Sequence, residues 1–132
     1  MRKKNNSPVN NRKKIDPLKI NIARGFIFFN AILWFAYGIY IYYDMAVVNN
    51  NKNSADVVTL FVFANAALLL FSGIKFGKPQ HWVYYFVLVV TIFNTILTLL
   101  NILDLYFLVC FIINLLTLWA VIPLRRQYFP KP

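Results

Sequence analysis

Few side chains in this sequence could carry proton transfer or nucleophilic attack. There is one histidine, His81, one cysteine, Cys110, and four acids, all aspartate. General acid–base catalysis needs a group titrating near neutral pH within reach of the reacting atom. His81 sits between Gln80 and Trp82, a setting that suits an interfacial anchor better than a catalytic or haem-ligating imidazole. Ser7, Ser54 and Ser72 have no base nearby in sequence, so neither a triad nor a dyad can be assembled. Cys110 lies in an apolar run, where the thiol is favoured over the reactive thiolate. A lone cysteine makes no internal disulfide, and one histidine without a cysteine cluster gives no zinc or iron–sulfur spacing. The four glycines are scattered and form no phosphate-cradling loop. The expectation is no enzyme and no cofactor.

What the sequence does repeat is uncharged polar residues inside apolar runs. Asn30, Asn65, Asn94 and Asn114 fall one to a run. Around Asn94, the residues Thr91, Thr95, Thr98 and Asn101 complete an i, i+3, i+4, i+7, i+10 series, which is one face of a helix. Tyr106, Cys110, Asn114 and Thr117 make a similar stripe, and Asn65 and Ser72 are seven apart, with Gly73 following. An unpaired amide in hydrocarbon costs several kcal/mol, so these groups should face one another, backbone carbonyls or water. The candidate intramembrane polar cluster is therefore Asn30, Asn65, Thr91, Asn94, Thr95, Thr98, Asn114 and Thr117. It has two readings, interhelical glue or a path for a small polar solute, and the first is the commoner use of Asn and Thr in membrane bundles.

The elements that must position these residues follow from composition. Of 132 residues, 60% are apolar and 14% charged, against about half and a quarter for a soluble domain. Four stretches, near 25–44, 56–75, 81–100 and 105–124, approach the ~20 residues that cross a bilayer core of roughly 30 Å. Four such rods in so short a chain cannot all be covered by protein, so lipid must cover their outer faces. Asp16 followed by Pro17 reads as an N-cap with proline at the first helical position, and Ile15 with Ile20 as a hydrophobic staple. Gly77-Lys78-Pro79 and Asn101 to Asp104 are tight connections. The first connection, with Asn49, Asn50, Asn51, Asn53 and Ser54, has room to be a flexible loop. The expected fold is all-α: a polytopic membrane protein whose residues 17–124 form four transmembrane helices in an up-down-up-down bundle. A disordered basic arm (1–16) and a short basic tail (125–132) flank it. The first run is too long for a signal-peptide h-region, and no small-x-small site follows it before Asp44, so cleavage is not expected.

Charge sets the sidedness. Thirteen of the fourteen Lys and Arg fall in the arm, the second connection and the tail, and only Lys52 falls in the first or third connection. The positive-inside rule places both termini in the cytoplasm of a multi-pass cell-membrane protein. Trp82, Tyr84, Tyr85 and Trp119 would mark the inner interface, and Tyr40, Tyr42, Tyr43 and Tyr106 the outer one. Trp34 is mid-span, packed on a neighbour or facing lipid. Arg2, Lys3, Lys4, Arg12, Lys13 and Lys14 are expected to contact anionic headgroups. Nucleic acid is not expected as a partner, because the arm carries no aromatic to stack on bases. Phe29-Asn30-Ala31-Ile32-Leu33 resembles Phe93-Asn94-Thr95-Ile96-Leu97, as a two-plus-two repeat would require, but so short a match also arises by chance in such a composition.

No Asp, Glu, Lys, Arg or His lies in the central part of any span, which disfavours proton-coupled transport and voltage sensing. The chain lacks the intramembrane acid expected of small drug exporters. The leading expectation is a non-catalytic protein that works through helix packing, as an accessory or assembly subunit of a membrane complex or as a homo-oligomer. The alternative is a small passive channel or carrier lined by the Asn and Thr faces of spans two to four.

Overall fold

The computed structural model describes residues 16–78 and 80–129. The six arm cations named above, Ile15 of the expected staple and Lys131 lie outside them. Helix α1 (Pro17–Tyr43) opens as expected: the Asp16 carboxylate accepts from the Leu18 N–H at 3.2 Å, with Pro17 at the first position. Lys19 pairs with the same carboxylate at 3.8 Å. The helix does not stop at the end of the expected span. It widens into one π-helical turn, Asp44–Val48, whose last carbonyl-to-amide link is reinforced by Asn49 Nδ2 donating to the Asp44 carbonyl and carboxylate.

The first connection is shorter than expected. Helix α2 spans Lys52–Lys75, so Asn53 and Ser54 belong to its first turn and only Asn49–Asn51 remain between helices. Two asparagines make so tight a link possible. Asn50 takes a left-handed φ of 50°, which Asn tolerates better than most residues. Asn51 then caps α2, its Oδ1 accepting from the Ser54 N–H at 3.3 Å.

Helix α3 covers His81–Leu100, and α4 covers Leu105–Val121 behind an Asp104 cap that accepts from the Tyr106 N–H at 2.8 Å. Pro123, which has no N–H to give the helical ladder, sits in a tightened 3₁₀ turn at Ile122–Leu124. A four-residue helix α5 (Arg125–Tyr128) follows, so the tail begins as ordered structure. Its Tyr128 is 2% exposed, stacks on Phe76 at 5.2 Å and donates its hydroxyl to the Phe76 carbonyl. Alongside, Phe129 stacks on His81 at 4.5 Å, and Tyr84 donates to the Ile122 carbonyl at 3.3 Å. Tyr128→Phe keeps the ring and removes the hydrogen bond. It should lower unfolding stability by about 1 kcal/mol in a detergent titration.

The chain is all-helical, with four helices long and apolar enough to cross a membrane. Helix α1 packs on α2 and α4, and α3 packs on the same two, so the four close into a ring. Their outer faces carry exposed Leu60, Phe61, Leu100 and Trp119 among many large apolar side chains, a surface that water would not tolerate at this extent. The α1–α2 contact is reciprocal. Phe63 of α2 seats over Gly38 of α1, and Phe28 of α1 seats over Gly73 of α2. Trp34 is buried, edge-on to Tyr37 and Phe107. That settles it as a packed residue.

Candidate functional site: a buried amide network

The helix positions that face the ring's interior are the ones carrying the amides. Asn30, Asn94, Asn114 and Thr98 are completely buried, and Asn65 is 9% exposed. The amides join in pairs across helices. Asn30 Nδ2 on α1 donates to Asn114 Oδ1 on α4. Asn65 on α2 and Asn94 on α3 exchange two bonds, at 2.7 and 3.0 Å. Asn94 Nδ2 also donates to the Val90 carbonyl at 2.9 Å. Asn114 Nδ2 reaches Thr98 Oγ1 at 3.5 Å, and that hydroxyl donates to the Asn94 carbonyl at 2.9 Å. One connected network therefore touches all four long helices. In a low-dielectric interior such bonds are stronger than in water, and an unpaired member would be correspondingly costly.

The threonines behave differently from the asparagines. Thr91, Thr95 and Thr117 each donate to the carbonyl four residues back, at 2.7–2.8 Å, as does Ser72 at 2.7 Å. Their hydroxyls are satisfied within their own helix and supply small, smooth packing surface to the neighbours. Of the threonines expected in the cluster, only Thr98 carries a bond between helices. Asn101 is exposed and bonds the Leu97 carbonyl at 3.2 Å, outside the network.

Sequence reasoning missed Thr59, which is buried on the α1-facing side of α2 with no hydrogen-bond partner for its hydroxyl among the described residues. The signal was present: Ala55, Thr59, Val62, Ala66, Leu69 and Gly73 recur at helical spacing and form the buried stripe of α2. Two further buried groups on α1 lack partners among the described residues, Asn30 Oδ1 and Trp34 Nε1.

No family model matches this chain, and no curated protein or solved structure is significantly similar to it. Function must be argued from the molecule itself. Two surface grooves of about 420 Å³ flank the helix ends, one at Ile39, Tyr42, Asp56, Thr59, Leu60 and Phe63, the other at Tyr37, Asn101, Asp104 and Phe107. Neither is lined by a member of the amide network. Among the described residues, no three His, Cys, Asp or Glu side chains converge as metal ligands would.

The pairing has a symmetry of its own. Exchanging α1 with α3 and α2 with α4 carries the Asn30–Asn114 pair onto the Asn94–Asn65 pair. This is the exchange that the similarity between residues 29–33 and 93–97 would require.

Proposed function

We propose that this chain is a small integral protein of the cell membrane that acts without catalysis, through packing of its outer helix faces against a partner membrane protein or a second copy. One observation carries the reading. The four interior amides pair with one another across helices, leaving Asn30 Oδ1, Trp34 Nε1 and the Thr59 hydroxyl as the unpaired buried groups of the long helices among the described residues, whereas the exterior is broadly apolar. Here the amides act as fasteners that hold the four helices in one register and leave the outside to do the work.

The proposed topology is up-down-up-down with both termini in the cytoplasm. Contacts between Arg24 and Gly73 and between Gly38 and Phe63 favour antiparallel α1 and α2, because residue numbers rise along one helix as they fall along the other. Placing the cationic end inside follows the positive-inside rule, and the arm cations Arg2, Lys3, Lys4, Arg12, Lys13 and Lys14 would then meet anionic headgroups.

The test is isolation of the full chain from its native membrane in a mild detergent, after cross-linking in the membrane. A stoichiometric membrane partner or a defined homo-oligomer is the expected result. A monodisperse monomer with no cross-linked species overturns the proposal. The passive-channel alternative is judged on the same preparation in liposomes: flux of a small polar solute that Asn94→Leu abolishes would replace the packing reading with the pathway reading.

A further inference from the structure

Charge in this molecule is divided between the two ends of the helix ring. Asp44, Asp56 and Asp104 stand at one end with Lys52. The other end holds Arg24, Lys75, Lys78, Arg125 and Arg126, joined through the Arg24–Gly73, Tyr128–Phe76 and His81–Phe129 contacts. Its one described acid, Asp16, is eight residues from Arg24, about 12 Å along the helix axis, and is engaged by Lys19.

Arg24 is the fixed member of this group. Its half-buried guanidinium is held by two contacts and runs close past Gly77, which has no side chain to block it. Nε donates to the Gly73 carbonyl at 3.0 Å, Cζ lies 5.8 Å from the centre of the Phe28 ring, and Nη1 stands 3.3 Å from where a Cβ on Gly77 would be. Gly73 supplies one of the last carbonyls of α2, so this contact places the cation at the negative end of a helix. That end offers only about half a charge in return. The terminal nitrogens, Nη1 and Nη2, donate to no protein acceptor among the described residues. A positioned, partly desolvated guanidinium with both of its terminal donors unused is the geometry that takes two oxygens of a phosphate at once.

We infer that Arg24, with the Gly73–Lys78 segment, binds the phosphate of an anionic phospholipid. A lipid fits better than a soluble phosphate because of where the site stands. Arg24 is the last charge before the uncharged stretch 25–43, and Lys75 is the first after the uncharged stretch 57–74. Both therefore lie at the edge of the apolar zone, where lipid phosphates reside. Exposed Phe71 and Ile74 lie on the apolar side of Lys75, the Phe71 ring 5.5 Å from Lys75 Nζ, and supply a wall for the first carbons of an acyl chain. Lys75 and Lys78 add attraction without fixed geometry. The inference rests on the membrane reading proposed above, but on neither its sidedness nor its partner.

The test uses the full chain in a neutral detergent, with bound lipid counted by native mass spectrometry after addition of phosphatidylglycerol or phosphatidylcholine of matched chains. One retained phosphatidylglycerol in preference to phosphatidylcholine is expected. Arg24→Gln should lower that retention about five-fold, and Lys75→Gln/Lys78→Gln, which touches no core residue, should lower it by a smaller factor. Neutralising the six arm cations should leave the single retained lipid in place. Wild-type retention in both Arg24→Gln and the lysine pair overturns the site, as does loss of all preference in the arm variant. Displacement of the lipid by millimolar inorganic phosphate overturns the lipid assignment in favour of a free phosphate. A chain that stays dispersed without any detergent would instead refute the membrane reading itself.

Discussion

Gly38→Leu should destabilise the bundle by about 3 kcal/mol, the larger of two losses expected from single substitutions. A Cβ on Gly38 would lie 2.6 Å from Phe63 Cε1 and 2.9 Å from Cδ1, well inside contact distance, and leucine adds three further carbons in the same direction. Turning the Phe63 ring aside gives up its packing over Gly38 and disturbs its contact with Phe35, whose ring centre is 5.1 Å away. In the bilayer proposed above helices gain little from leaving water, so close approach at the glycines and the Arg24–Gly73 hydrogen bond hold α1 to α2. Two companions make the result interpretable. Gly38→Leu with Phe63→Ala should recover most of the loss, since the added side chain then fills the vacated space. Gly25→Leu should change stability by less than about 0.5 kcal/mol, because a Cβ there meets nothing within 4 Å. Unfolding by denaturing detergent measures all three, and equal effects at Gly25 and Gly38 would show that closeness at Gly38 is not what matters.

Asn94→Leu should cost about 2 kcal/mol by the same assay. Asn94 holds both bonds to Asn65 and a third to the Val90 carbonyl. Removing it strands the Asn65 amide in an apolar interior, and the stranded group accounts for most of the cost. The pair Asn65→Leu/Asn94→Leu removes donor and acceptor together, so its loss should fall clearly below the sum of the singles. Additive losses would mean that the two amides do not depend on each other. Thr95→Val provides the contrast. Its hydroxyl bonds its own helix, and the change should cost less than about 1 kcal/mol.

Much of the architecture was legible in the residues. Asp16 and Pro17 announced the start of α1, and the charge-free run from His81 to Leu100 gave α3 its bounds to the residue. One asparagine per apolar run marked the interior face of each helix, because burial of an amide demands partners and its own helix offers carbonyls but no free N–H for the amide oxygen. What was not legible depended on pairing and rotamer. Residue types alone could not tell that Asn30 would choose Asn114 and Asn65 choose Asn94, since either set satisfies the same demand. Nor could they tell that Thr91, Thr95 and Thr117 would turn their hydroxyls back onto their own carbonyls. The asparagine run at 49–53 read as a loop because Asn is a turn former, yet the same property let two of them reverse the chain within three residues. Tyr128 and Phe129 lay beyond the last apolar run and gave no periodic signal, so their packing against Phe76 and His81 went unread.

The Asn30–Asn114 bond joins the first long helix to the last, 84 positions apart in the chain. If the helices enter a bilayer in chain order, as the proposed topology implies, the first carries its amide without this partner until the fourth arrives. Asn65 and Asn94 can match each other well before that. On that reading closure of the bundle is a late event, and a chain cut short ahead of Asn114 leaves the Asn30 amide without its partner on the last long helix.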